Sequence, residues 1–339
     1  MEKIDWDNLG FNVVETHSMY KASCRIGEEW KLGGLIPYGT IELSPAAGVL
    51  NYGQGCFEGT KAYRTVKDRV VLFRPEMNAK RMALSTKRLC IPEMNQEFFL
   101  NAVEETLKDN IDYVPPYGKG SLYIRPIVWG TSPALGVKPV EVYTFMVFVS
   151  PVGPYFKGDI QPLNLKVSNK YHRAAPKGIG NAKAIGNYSA SLLPLIEAKN
   201  SGFDEVIYLN AKDEKFVEEV GSANLFILTE NTIKTPKLDG SILPGITRDS
   251  VITLAKDTIG LEVLETNVTL TELYDADEVF CTGTAVVVTP VGSITGLDGK
   301  HKIADGKMGQ LTSKLRQLLT GIQRGDVSDE FGWLYPIKE

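Results

Sequence analysis

Residues 177–192, KGIGNAKAIGNYSASL, set two lysines and three glycines in a short run that ends on a helical pattern. Glycines let a backbone pass close to a flat ligand. A lysine turned inward from such a loop has a lowered pKa and becomes a usable amine nucleophile and base, which is what a Schiff-base lysine needs. A flexible, solvated loop with surface lysines is the plainer alternative. The run is not a Walker phosphate loop, because no lysine is followed by Ser or Thr after the required glycine pattern. Residues 243–250, LPGITRDS, place a Pro-Gly turn before a helix opened by Ile246 and Thr247. The first amides of a helix have no internal partner, so this is either a ready anion site or an ordinary start capped by Thr247. In CTGTAVVVTP, residues 281–290, a strand meets a T-G-T-A turn where Thr284 and neighbouring amides can face a phosphate or carboxylate. A β-turn with no ligand is the alternative. In VEEVGSANLFIL, residues 217–228, Glu218 and Glu219 point to opposite sides of a strand, so one is expected in solvent and the other inward. A buried carboxylate needs a partner, and a protonated pyridine nitrogen is a good one; the alternative is two exposed glutamates in a hairpin.

These segments need elements to carry them. Apolar spacing predicts helices over 76–90 and 96–108, the second with Phe99, Leu100, Val103 and Leu107 as its stripe. SLYIRPIVW at 121–129 and VYTFMVFVS at 142–150 read as strands, the second buried because it is nearly all apolar. Residues 151–162, PVGPYFKGDIQP, carry three prolines, two glycines and no periodicity, the pattern of an interdomain linker. Beyond it, strands are expected at 163–168, 205–210 and 224–229, and helices at 189–201, 247–259 and 307–322. A chain of 339 residues exceeds what one core usually organises. The expectation is an N-terminal domain over 1–150, the linker, and a C-terminal domain over 163–339, of mixed α/β and α+β character.

A net charge of -4 argues against nucleic acid or an anionic lipid surface as partner. No apolar run is long enough to span a bilayer. The acidic, polar start MEKIDWDNLGF has neither a secretory pattern nor an Arg/Ser-rich transit pattern, so a cytoplasmic location is expected. Cys24, Cys56, Cys90 and Cys281 are scattered, and His17, His172 and His301 stand at no metal-ligand spacing. Neither disulfides nor a metal site is expected.

Taken in order, NYGQGCFEGTKAYR, LFRPEMNAKRM, LYIRP, SPALGV, SPVGPYF, GNAKAIGNY, EEVGSANLF, LPGITR and CTGTAVVVTPVG resemble the branched-chain aminotransferases, members of the class IV aminotransferase family. The resemblance runs over nearly the whole chain and implies a two-domain, D-amino acid aminotransferase-like fold with pyridoxal 5′-phosphate as cofactor. It makes Lys183 the Schiff-base lysine and Tyr188 the phenol facing the cofactor's ring oxygen. Glu219 faces the pyridine nitrogen. Arg81, Ile246, Thr247 and Thr284 hold the phosphate. Phe11, Tyr52, Phe57, Tyr123, Arg125 and Tyr155 line the substrate pocket, and the amides of Thr284 and Ala285 hold the substrate carboxylate. Leu135 and Val137 match pocket residues lent by a partner subunit, which implies a homodimer or higher homo-oligomer.

The implied activity is reversible amino-group transfer between leucine, isoleucine or valine and 2-oxoglutarate, with branched-chain keto acids and glutamate as products. Other class IV enzymes are the near alternatives: a D-amino acid aminotransferase, an amine transaminase or aminodeoxychorismate lyase. The Y-x-x-x-x-FEG, LYIRP and SPALGV motifs speak against them. A catalytically silent binding protein on the same fold is the remote alternative, opposed by intact Lys183, Glu219 and Arg81. Mammalian members carry a C-x-x-C pair soon after the G-T-A turn; here the stretch is TAVVVT, so that redox switch is not expected.

Overall fold

The computed structural model describes residues 4–153 and 160–338; Tyr155 lies outside them. The chain forms two compact units. Unit 1 takes Met1–Tyr155, Ala182–Ile185 and Gly321–Glu339, and unit 2 takes Phe156–Asn181 and Gly186–Thr320. This departs from the continuous domains expected at 1–150 and 163–339. Residues around Lys183 join unit 1 through an antiparallel bridge between Cys56 and Ala184. The C-terminal strand Leu334–Pro336 joins it by pairing with residues Val71 to Phe73. Sequence order alone does not say where a segment finds its hydrogen-bond partners.

Unit 1 contains β1 (Ser18–Arg25), β2 (Gly34–Pro37), α1 (Gly48–Tyr52), β3 (Gly55–Phe57), β4 (Thr60–Arg64), β5 (Val70–Phe73), α2 (Pro75–Arg88), α3 (Gln96–Asp109), β6 (Ser121–Gly130) and β7 (Val142–Val152). Among the described residues its sheet runs C-terminal strand, β5, β4, β6, β7, β1, β2, with β3 also on β6. Every pairing is antiparallel. Pro75 opens α2, where its missing N–H would have no partner anyway. Asn95 caps α3 by accepting from Phe98 N. The stripe Phe98, Phe99, Val103 and Leu107 packs against Leu122, Ile124, Phe145 and Val147 to make the core. With Leu122 and Ile124 buried in the core, the strand's period of two puts Tyr123 and Arg125 side by side on the opposite, half-buried face of β6.

Unit 2 contains β8 (Leu163–Val167), α4 (Ile185–Ser189, its first residue in unit 1), α5 (Leu192–Asn200), β9 (Glu205–Leu209), β10 (Val217–Val220), β11 (Ala223–Thr229), β12 (Thr232–Pro236), α6 (Ile246–Thr253), β13 (Glu262–Thr266), α7 (Leu270–Tyr274), β14 (Glu278–Gly283), β15 (Val287–Thr295), β16 (Lys300–Lys302) and α8 (Gln310–Arg324, its end from Gly321 in unit 1). Strands β10, β9, β8, β15, β14 and β11 pair in that order, and β10 also pairs with β11, closing six strands into a ring. Leu165, Ile207, Leu225, Ile227, Val279 and Val291 belong to its apolar core. The helix expected at 189–201 is α5, starting three residues later, and Ser189 ends α4 instead. Pro194 falls in the first turn of α5, where helix N–H groups lack partners and proline is tolerated. The helix expected at 247–259 is α-helical to Thr253 and then widens into a π-helix over Leu254–Ile259, ending at Gly260 with φ 81°. That left-handed stop suits glycine.

Candidate active site

In unit 1 the backbone of Lys183 is held on both sides. Its N–H donates to Ser85 Oγ on α2 at 3.0 Å, and its carbonyl accepts from Phe57 N at 3.1 Å. Its Nζ stands 4.8 Å from the centre of the Phe57 ring. The Arg125 guanidinium lies 4.6 Å over the same ring and 5.1 Å over Tyr123, whose hydroxyl accepts from Arg125 Nη2 at 2.9 Å. Phe11 meets Tyr123 edge to face at 5.5 Å. Five of the expected residues therefore form one cluster: a lysine amine, an arginine and three aromatic rings. Arg125 Nε is buried without a hydrogen-bond partner among the described residues. A desolvated donor of this kind costs about 1–3 kcal/mol unless something accepts from it. A Cβ on Gly59 would lie 2.2 Å from the Tyr123 hydroxyl oxygen, so the F-E-G glycine makes room for that phenol.

Three expected pocket residues belong elsewhere in unit 1. The Tyr52 hydroxyl donates to the Leu135 carbonyl. Leu135 is 91% exposed and Val137 88%. Tyr52 thus groups with the SPALGV loop. Arg81 is buried on α2, held by Glu58 through Nε (2.8 Å) and Nη2 (2.7 Å).

In unit 2 the carboxylate of Glu219 is buried and firmly held. Its Oε1 accepts from Asn224 Nδ2 at 2.8 Å and from Leu243 N at 3.0 Å, and Arg173 Nη2 lies 2.7 Å from its Oε2. Glu218 is buried as well, at 3% exposure, which corrects the expectation that one of the two faces solvent. Each carboxylate is covered by its own partners, Ser241 on Glu218 and Asn224 with Arg173 on Glu219, so neither side chain is left in water. Glu218 Oε1 accepts from Ser241 Oγ at 2.6 Å, and burial pushes its pKa up despite that bond. Nothing caps α6 by a side chain, which removes the reading of Thr247 as a cap; Gly245 holds the cap position, and Ile246 and Thr247 form the first turn. A Cβ on Gly245 would meet Asn224 Oδ1 at 2.0 Å, so the amide that holds Glu219 also dictates a glycine at the helix start. Thr284 and Ala285 occupy the turn between β14 and β15. Just before it, Thr282 Oγ1 is buried with no hydrogen-bond partner among the described residues. Tyr188 is half-buried on α4. No group of His, Cys, Asp and Glu among the described residues could hold a metal ion.

The residues fall into a recognisable set: a lysine with a fixed backbone, a compensated buried carboxylate, an uncapped helix start and a threonine turn. A family model for amino-transferase class IV matches residues 55–294. The chain is 50% identical, over 97% of its length and 80% of the relative's, to a protein of Arabidopsis thaliana named branched-chain-amino-acid aminotransferase 3, chloroplastic. It belongs to the class IV aminotransferases. Within that family a second relative, the branched-chain amino acid aminotransferase 1, mitochondrial, of Humulus lupulus, is 47% identical over 98% of this chain and 84% of its own. The crystal structure of the branched-chain amino acid aminotransferase from Thermobaculum terrenum in its PLP-form superposes at a TM-score of 0.81. It is 26% identical and covers 96% of this chain and 99% of that one. The mixed α/β, two-unit class IV fold is therefore established.

The compartment names of the two plant aminotransferases correct the cytoplasmic expectation: one is chloroplastic and the other mitochondrial. The physical reason is that an address is read by receptors apart from the catalytic fold, so the acidity of residues 1–11 does not carry it. Reading the sequence also missed Glu58, Ser85, Arg173 and Asn224. One signal was available: Glu58 is a lone charge in the apolar, small-residue run GQGCFEG, and an inward carboxylate there demands a cation.

Proposed function

We propose that the protein is a branched-chain amino acid aminotransferase moving an amino group reversibly between leucine, isoleucine or valine and 2-oxoglutarate, with pyridoxal 5′-phosphate as cofactor. The observation that carries the reading is the cluster of Phe11, Phe57, Tyr123 and Arg125 around Lys183. Three aromatic rings suit a branched aliphatic side chain, whose burial yields roughly 0.8 kcal/mol per methylene. The same pocket must take glutamate in the other half-reaction. Arg125, with its buried Nε, supports the second carboxylate.

The residues of both units fit the cofactor chemically. Lys183 supplies the amine for covalent attachment. Arg81, the first turn of α6 at Ile246 and Thr247, and Thr284 suit a phosphate, and the partnerless Thr282 hydroxyl marks the same turn as polar and desolvated. When bound, the cofactor supplies an aldehyde that takes up the amino group and a conjugated ring that accepts electrons. Lys183 Nζ would serve as the base that takes the substrate's Cα proton and delivers it to the cofactor's former aldehyde carbon. Glu219, paired with Arg173 and bonded by Asn224 and the Leu243 amide, would hold a proton at the ring nitrogen. Tyr188 would donate to the ring oxygen. Thr284 and Ala285 amides hold the substrate carboxylate.

The protein acts as a homodimer or higher homo-oligomer. Leu135 and Val137 would be an exposed apolar liability on a monomer. An apolar groove of about 330 Å³ on the same unit, lined by Met19, Ile41, Trp129, Met146 and Phe148 among others, supports burial against a second copy. Tyr52 travels with the Leu135 loop, so it serves whichever pocket that loop enters. No helix among the described residues is long and apolar enough to cross a membrane. The test is a panel of amino acids against 2-oxoglutarate, with light scattering at assay concentration. Turnover of leucine, isoleucine and valine by an oligomer is expected. Preference for D-amino acids or simple amines would overturn the substrate reading, and a fully active monomer would overturn the assembly.

A further inference from the structure

Arg81 is bound by its neighbours in an unusual way for a residue whose work would be to meet a phosphate. Glu58 is completely buried at the end of β3, and Arg81 is 7% exposed. The carboxylate grips the guanidinium side-on, through Nε and Nη2, at 2.8 and 2.7 Å. Glu58 is itself pinned. Asn78, one turn earlier on α2, donates from Nδ2 to Glu58 Oε2 at 2.8 Å, and the Glu58 backbone N–H donates to Pro126 O at 2.7 Å. A guanidinium is planar, so two bonds on one edge fix both its plane and the direction of its third nitrogen. One turn further along α2, Ser85 accepts the Lys183 N–H, while Phe57, adjacent to Glu58, donates to the Lys183 carbonyl. The dipeptide Phe57-Glu58 and one face of α2 therefore set the lysine and the arginine in register with each other.

A buried ion pair is a poor device for stability, because desolvation offsets its attraction. As a source of positive potential it is poorer still, since Glu58 cancels the charge of Arg81. What it does supply is orientation. We infer that Glu58 is a positioning residue, holding the Arg81 guanidinium at the angle from which it meets the cofactor phosphate. This rests on the reading of Arg81 as a phosphate ligand.

The sign of one effect separates orientation from charge. Glu58→Gln leaves Arg81 more positive but turns a donor NH₂ toward one of its nitrogens. If Glu58 were only a counter-ion, the variant would bind phosphate more tightly. If it positions Arg81, binding weakens. The experiment strips cofactor from the full chain and titrates it with pyridoxal 5′-phosphate and, separately, with pyridoxal, following protein fluorescence. The readout is the Kd for pyridoxal divided by the Kd for pyridoxal 5′-phosphate, a ratio that a loss of packing elsewhere would not move. Glu58→Gln should weaken the phosphorylated ligand about tenfold, the loss of one charge-assisted bond, with pyridoxal unchanged. Glu58→Asp keeps the charge but shortens the reach. It should lower the ratio as well, and it serves if the glutamine variant does not fold. An unchanged or increased ratio in the folded variants overturns the inference. Arg81→Gln is the control on the underlying reading. If it preserves the wild-type ratio, Arg81 is not a phosphate ligand and both ideas fall. If it collapses the ratio while both Glu58 variants do not, only the positioning role falls.

Discussion

Arg173→Leu should be among the most damaging single changes in unit 2, although Arg173 stands in a polar stretch that reads as a loop. The guanidinium lies 2.7 Å from Glu219, and the two side chains are 7% and 3% exposed. With an effective dielectric near 20, two unit charges at that distance attract by roughly 6 kcal/mol, an upper figure before desolvation. Removing one member of a buried pair costs about 3–5 kcal/mol, because the other charge is stranded. Arg173 Nη2 also donates to the carbonyls of Ser241 (2.5 Å) and Gly180 (3.3 Å), so the loop before Lys183 loses an anchor too. We expect a loss of about 4 kcal/mol, a large share of the 5–15 kcal/mol by which folded proteins are stable. Urea unfolding of cofactor-stripped protein measures it, since bound cofactor would add its own stabilisation. The double variant Arg173→Leu/Glu219→Gln removes the stranded charge and should recover at least half of the loss. A single variant within about 1 kcal/mol of wild type, or a double variant no more stable than the single, would refute the coupling.

Three further outcomes follow from the same geometry. Lys183→Ala should lose turnover and any borohydride-reducible attachment of cofactor, while still binding it through phosphate contacts; a variant that keeps a reducible attachment shifts the role to Lys177. Arg125→Leu should lower kcat/KM for glutamate and 2-oxoglutarate about tenfold more than for leucine and its keto acid, since only the acidic substrates lose a charged partner; equal losses would leave Arg125 as a brace for the Phe57 and Tyr123 rings. Glu272 closes a capping box with Thr269 at the start of α7, and its bonds to Lys234 and to the Thr269 amide hold its pKa at about 2, below the ordinary 4.5. A depressed carboxylate pKa stabilises the fold above the unfolded value and stops doing so as pH falls toward 2. The side chain is 35% exposed, so screening leaves about 1 kcal/mol. The urea midpoint of Glu272→Ala should therefore differ from wild type at pH 7 and converge with it near pH 2, and a difference independent of pH would contradict the assignment.

The legible parts of the molecule are those whose signal is local. The apolar stripe of α3 and the near-continuous apolar run of β7 gave those elements almost to the residue. Short strands such as β4, β5, β12 and β13 carry too little periodicity to stand out, and they exist because neighbours complete their ladders. The site divides in the same way. Lys183, Glu219 and the T-G-T-A turn stand in motifs with their own chemistry. Glu58 and Arg173 take their meaning from partners that lie far along the chain, Arg81 and Glu219, and no window of sequence contains both members of either pair. The burial of both Glu218 and Glu219 was illegible for a related reason: alternation along a strand assumes a wet face, and the groups that cover these two, Ser241 and Arg173, lie far along the chain.

The C-terminal strand has a consequence for the order in which the chain is made. β5 is the edge of its sheet until Leu334–Pro336 arrives to pair with it. A ribosome adding about 5–20 residues per second leaves that edge open for tens of seconds after Phe73 has emerged. Unit 1 begins early yet closes late, because the strand that pairs with β5 is made after every other strand of its sheet. Through that interval Val70, Val71, Leu72 and Phe73 form an apolar strand with one side unpaired, the kind of template that recruits another chain. Nascent protein at this stage is a natural client for chaperones, and a ribosome that stalls before Leu334 yields a product whose weakest point is an exposed strand rather than a missing catalytic residue.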